Sequence, residues 1–127
     1  MAEGLAQKWL DDNGFTDWLA VSAGVYAIEG SPTSQETIKS LSDRGIEFEG
    51  TSYPLTQDMA TSAKIVLCMS GNHLKAAHKF TEHAELLDPS GDIPDPIGQD
   101  QSAYDTLAQK MEKLIATKLQ SLTNEGE

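Results

Sequence analysis

The chain has 127 residues, enough for one layered core but not two, and 39% of them are hydrophobic. Its net charge of -11 and isoelectric point near 4.5 speak against nucleic acid as a partner, because such binders replace phosphate counterions with Lys and Arg. No apolar run reaches the ~20 residues of a membrane helix, no signal segment opens the chain, and the single cysteine, Cys68, forms no internal disulfide, so the expectation is a cytoplasmic protein off the membrane.

In chain order, residues 2–13 read as a helix, with Leu5, Trp9 and Leu10 on one face and Gly14 placed to end it. Trp18 to Gly24 reads as a strand. Thr33 with Glu36 forms a capping box that opens a helix through Arg44, its core face Ile38 and Leu41, closed by Gly45. A short edge strand is expected around Glu47 and Phe48. Thr56 caps a short helix through Ala63.

Residues 64–69 (KIVLCM) form the strongest strand, a continuous apolar run that predicts burial on both faces. A helix over 71–80, a short strand over 85–87 and a Pro/Gly/Asp-rich stretch over 88–98 follow. A last helix from about Ser102 sets Tyr104, Leu107, Ala108, Met111, Leu114, Ile115 and Leu119 on one stripe. The tail from Thr123 is expected to fray. Strands alternating with helices predict an α/β fold, a three-layer sandwich with a mostly parallel sheet in one domain over 1–122.

Few side chains suggest chemistry. His73, His78 and His83 are spaced five apart, so on a helix successive rings diverge by about 140° and do not converge on one metal. Cys68 lies mid-strand between Leu67 and Met69, where burial raises a thiol pKa, and it reads as a core residue. Trp9 and Trp18 read as core. No Walker A, HExxH, EF-hand or GxGxxG pattern occurs, and no metal or cofactor is expected.

One ordered set of short motifs carries more. These are MAEGL at 1–5, SAG at 22–24, GI at 45–46, LT at 55–56, IVLCMS at 65–70, and DIPDPIG at 92–98 followed by Tyr104. In order and spacing the chain resembles the low-molecular-weight protein tyrosine phosphatases, bacterial members above all, some of which act on phosphoarginine. The resemblance runs from Met1 to about Leu122. It implies that Asp95 corresponds to the family's general acid, that Asp92 supports the backbone of the acid loop, and that Ser22 matches the Ser bracing the nucleophile loop. Taken alone, Asp95-Pro96 is a turn.

The family's first strand, which lies centrally in its sheet, its Cys-x5-Arg nucleophile loop and a Ser-Pro all precede the MAE-type segment. None of them occurs in these 127 residues. A His that braces this loop in many relatives is Gly50 here. The sequence therefore reads as a phosphatase-like body minus its central strand, inactive as given, with Asp95 vestigial. Two explanations stand open, a short gene or a start assigned too far downstream. With the loop restored, a phosphoprotein substrate is implied; without it, a regulatory binding role is the alternative.

Loss of a central strand would leave buried backbone groups unpaired at about 1–3 kcal/mol each. The expected remedy is that the strand at 19–24 moves over to pair in parallel with 65–69. A homodimer through the exposed sheet edge is the rival.

Overall fold

The computed structural model describes residues 1–24, 34–48, 53–94, 96 and 98–125, with side chains up to Thr123. The chain sorts into two compact units. One comprises 1–22, 32–50 and 96–127; the other comprises 23–31 and 51–95.

The first unit is helical. Helix α1, Ala2–Asp12, buries Gly4, Leu5 and Leu10. It ends as its sequence predicts. Gly14 takes a φ of +83°, and the Phe15 N–H returns to the Leu10 carbonyl at 2.8 Å. Phe15 then stacks on Trp9 and meets Trp18 edge-on, so both indoles belong to a half-buried aromatic cluster.

Helix α2, Gln35–Ser42, is capped by Ser34, whose hydroxyl accepts the Thr37 N–H. The expected cap, Thr33, lies outside the described residues. The buried face of α2 is Thr37, Ser40 and Leu41, while Ile38 is half-buried. Two polar residues thus occupy a face that reads in sequence as Ile38 and Leu41. The helix stops before Arg44, and Gly45 follows at a φ of +77°. Residues 46–48 form no strand.

Both helices pack on the long C-terminal helix Gln101–Glu125, which becomes α5 once the second unit's two helices are counted. Tyr104, Ala108, Met111, Ile115, Leu119 and Leu122 form its buried stripe, at the three- and four-residue spacing of one helix face. Asp100 caps it, accepting from the Ser102 hydroxyl and the Ala103 N–H. The helix runs through Thr123 to Glu125. The Thr123 side chain is buried, and its hydroxyl donates to the Leu119 carbonyl.

The second unit is α/β. Helix α3, Gln57–Ser62, is capped by Thr56 as expected. Strand β1, Val66–Cys68, pairs in parallel with β2, Ala84–Leu86, in the register Val66–Ala84, Leu67–Glu85 and Cys68–Leu86. Helix α4, Gly71–Ala77, makes the crossover between them, as parallel strands require. Cys68 is buried, whereas Val66 and Leu67 are half-buried, so the two-sided cover read from the apolar run is incomplete.

The expected strand at 18–24 is not one. Residues 18–23 belong to no strand, and Gly24 makes an isolated bridge to Pro54. The strand partner of β1 is β2. The Ala20 N–H donates instead to Gln7 Oε1 at 2.9 Å and the Ser22 N–H to Glu3 Oε1 at 2.7 Å. The match is geometric. Glu3 and Gln7 stand one helical turn apart, about 6 Å, and alternate amides of an extended chain recur at about 6.6 Å. Side chains of α1 therefore satisfy donors that a neighbouring strand would otherwise take.

Candidate functional site

In α/β units, loops at the carboxyl ends of parallel strands carry ligands, because there successive chain segments diverge and leave a crevice. In the second unit this end of β1 leads through Met69 and Ser70 into α4. Ser70 caps the helix, its hydroxyl accepting the His73 N–H at 3.3 Å. The next amide, that of Gly71, donates to Asp92 Oδ1 at 2.8 Å. One residue on, the Ile93 N–H donates to the Met69 carbonyl at 2.7 Å, and the Ile93 side chain is buried. Upstream, the Leu87 N–H donates to the Cys68 carbonyl, and the buried Asp88 carboxylate accepts both the N–H and the hydroxyl of Ser90.

The stretch 87–93 is thus stitched to the end of β1 at three places, two through backbone and one through a carboxylate. Asp95 and Ile97, which come after Ile93 in the chain, lie outside the described residues.

The remaining sequence candidates are distributed as follows. Ser22 is exposed and its hydroxyl donates to Glu3 Oε1 at 3.1 Å. Tyr104 is buried on α5. Ser22 and Tyr104 belong to the first unit, and Asp92 and Cys68 to the second. Cys68 is buried in β1, and desolvation pushes its thiol pKa up, away from the thiolate a nucleophile needs. His73 opens α4, His78 ends it with Nε2 3.1 Å from the Ala84 carbonyl oxygen, and His83 precedes β2. Among the described residues no three His, Cys, Asp or Glu side chains cluster as metal ligands. No described helix is long and apolar enough to cross a membrane. Gly50 lies outside the described residues.

One polar assembly was not anticipated from sequence. Ser40 on α2 is fully buried and donates to Asp105 Oδ1 on α5 at 2.5 Å. The Gln101 amide serves Ser40 Oγ, Asp105 Oδ1 and the Glu36 carbonyl. Arg44 adds a bond to the Ser40 carbonyl and an ion pair with Glu112. The Ser40 hydrogen bond first, and that of Gln101 second, hold the Asp105 carboxyl below its usual range. The only sequence signal was negative, a Thr and a Ser on a helix face that otherwise reads apolar. We regard this assembly as structural, since every member is spent on another member or on backbone.

The family model described as low molecular weight phosphotyrosine protein phosphatase matches residues 1–127. The chain belongs to that family. It is 34% identical over 112 residues to the protein-arginine-phosphatase of Geobacillus stearothermophilus, covering 79% of this chain and 76% of that one. It is 26% identical over 103 residues to the protein-arginine-phosphatase of Bacillus subtilis, covering 74% and 69%. Among solved structures, the low-molecular-weight protein tyrosine phosphatase from T. tengcongensis superposes with a TM-score of 0.88 at 27% identity, covering 94% of this chain and 88% of that one. The YwlE arginine phosphatase from Geobacillus stearothermophilus does so with a TM-score of 0.81 at 28% identity, covering 99% and 90%. The α/β phosphatase fold is therefore shared by this chain.

Proposed function

We propose that this member of the phosphatase family does not hydrolyse phosphomonoesters as the 127-residue polypeptide, and that Asp95 corresponds to the family's proton donor. The observation carrying this reading is the state of Cys68. Covalent phosphoryl transfer needs a thiolate in line with phosphorus, a nest of donors around three phosphoryl oxygens, and an acid for the leaving group. The sequence's one thiol is buried with its pKa raised, and the residue six positions on is Leu74, not Arg. Asp95 fits the acid's position in the motif, Asp92 fixes the loop through Gly71, and Ser22 is the matched brace.

The names of the two relatives favour a second reading for the assembled enzyme. If a strand and a Cys-x5-Arg-Ser-Pro loop are joined ahead of Met1, the substrate class we propose is phosphoarginine in proteins, ahead of phosphotyrosine.

Two preparations test both readings. The 127-residue chain is assayed on p-nitrophenyl phosphate, beside its Cys68→Ser variant. We expect no turnover by either, and turnover lost in Cys68→Ser overturns the first reading. A chain extended by the family's front segment is then assayed on phosphoarginine and phosphotyrosine peptides. Activity that vanishes in Asp95→Asn on the aryl substrate supports the acid assignment, and a preference for phosphotyrosine overturns the second reading.

A further inference from the structure

The first unit carries an open cleft of about 460 Å³ between α1, the Leu19–Ala20 stretch and residues 45–48. Leu19, Ile46 and Phe48 are apolar residues of its lining, and the charged ones are Glu3, Asp11, Asp12 and Glu47 with a single cation, Lys8, a net negative set. A lone exposed leucine needs no explanation. Here Leu19 is 80% exposed and Val21 is 61% exposed, and a two-residue spacing puts both on one side of an extended stretch. Together with the cleft's apolar residues they make a surface on which exposed apolar side chains stand among carboxylates. Asp12 is paired with Lys8, whereas Glu47 has no partner among the described residues.

We propose that this cleft docks an extended cationic segment of a partner protein, in which arginine or lysine alternates with an apolar residue. Three arguments on the molecule select that occupant. An extended segment also has a two-residue period, so its apolar side chains meet Leu19 and Ile46 while the alternate cations reach the carboxylates of Asp11, Asp12 and Glu47. The receiving stretch is already held by Gln7 and Glu3 through the Ala20 and Ser22 amides, which lowers the ordering cost of binding. Charge excludes the competitors. A second copy at net charge -11, a nucleic acid and an anionic membrane would each bring negative charge to a negative surface. This docking role requires no phosphate chemistry and holds with or without turnover.

The test uses the whole chain and a fluorescein-labelled heptapeptide alternating arginine with leucine, read by anisotropy at low salt. A peptide with glutamate in place of arginine is the control. We expect the arginine peptide alone to bind. Glu47→Lys should weaken binding by about tenfold and Leu19→Ser by about threefold or more. Glu82→Lys, which reverses an exposed charge of the second unit, should cost less than about twofold. Both cleft residues are exposed, and circular dichroism checks that the variants fold. Equal weakening by Glu82→Lys and Glu47→Lys overturns the proposal, since net charge alone would then bind the peptide. So does binding of both peptides, binding of neither, or a dimer in sedimentation that Leu19→Ser dissociates.

Discussion

The Asp92 carboxylate lies 2.8 Å from the Gly71 N–H, joining the loop that follows β2 to the first residue of α4 across twenty-one positions of sequence. Gly71 N–H is one of the donors a helix leaves unpaired at its start, and a carboxylate there gains from both the hydrogen bond and the helix dipole. Because Asp92 is exposed, water would recover part of that gain. Asp92→Ala should destabilise the protein by about 1 kcal/mol. The local effect should be larger than the global one. Amide exchange at Gly71 should quicken, while Leu5 and Leu10 of α1 stay unchanged. Unaltered exchange at Gly71 would contradict the bond.

Asp105 gives a pH dependence with a definite sign. Its folded pKa is held below the ordinary aspartate value by the Ser40 and Gln101 hydrogen bonds. The stability it contributes is therefore complete above that unfolded value and is lost as pH falls through the lower folded value. Asp105→Asn should flatten the acid limb of a denaturation midpoint measured from pH 6 down to pH 2. Above pH 5 its curve should run parallel to that of the parent. A steeper acid limb in the variant would reverse the assignment.

Gly4 faces the core where α1 meets Leu41. A Cβ built there would stand 3.0 Å from Leu41 Cδ1 and 3.5 Å from Phe48 Cδ2. Alanine is worth about 1 kcal/mol over glycine inside a helix. Leu41 is fully buried and has little room to yield, so crowding should offset that gain. Gly4→Ala should end within about 1 kcal/mol of the parent, and Gly4→Val should cost about 2 kcal/mol or more. Leu41→Val placed beside Gly4→Ala should recover stability. Chemical denaturation of the three variants would show it.

Cys68 should behave as a core side chain. Burial keeps its thiol protonated and out of reach. Reaction with a disulfide reagent at pH 8 should run about tenfold or more slower on the native protein than in urea. Cys68→Ala should cost about 1–2 kcal/mol, as the loss of a small buried group does. Fast native labelling would mean that β1 opens readily.

Much of the helical structure was legible because its signals are local. Gly14 and Gly45 end their helices at positive φ, and Thr56 caps as read. The last helix follows its stripe from Tyr104 to Leu119 and runs on, since Leu122 and Thr123 are buried as well. The expected strand at 18–24 does not form, because the β preference of a segment does not supply a neighbour to pair with it. Its amides went to Gln7 and Glu3, and nothing in residues 18–24 announces that. The Ser40–Asp105 bond spans sixty-five positions and has no signature in either segment. Of the candidate site, the motif spacing gave the family. The tie from Asp92 to Gly71 needed coordinates, because a carboxylate in a Pro-rich stretch reads equally well as a turn.

The clasp between α1 and the chain that returns beside it has a kinetic corollary. Ala20 and Ser22 are both held by side chains on one helical turn, so unwinding that turn removes the partners of both amides. Melting the beginning of the helix frees both at once. The loop is then expected to share the lifetime of α1, opening as one cooperative unit with it despite having no ladder of its own.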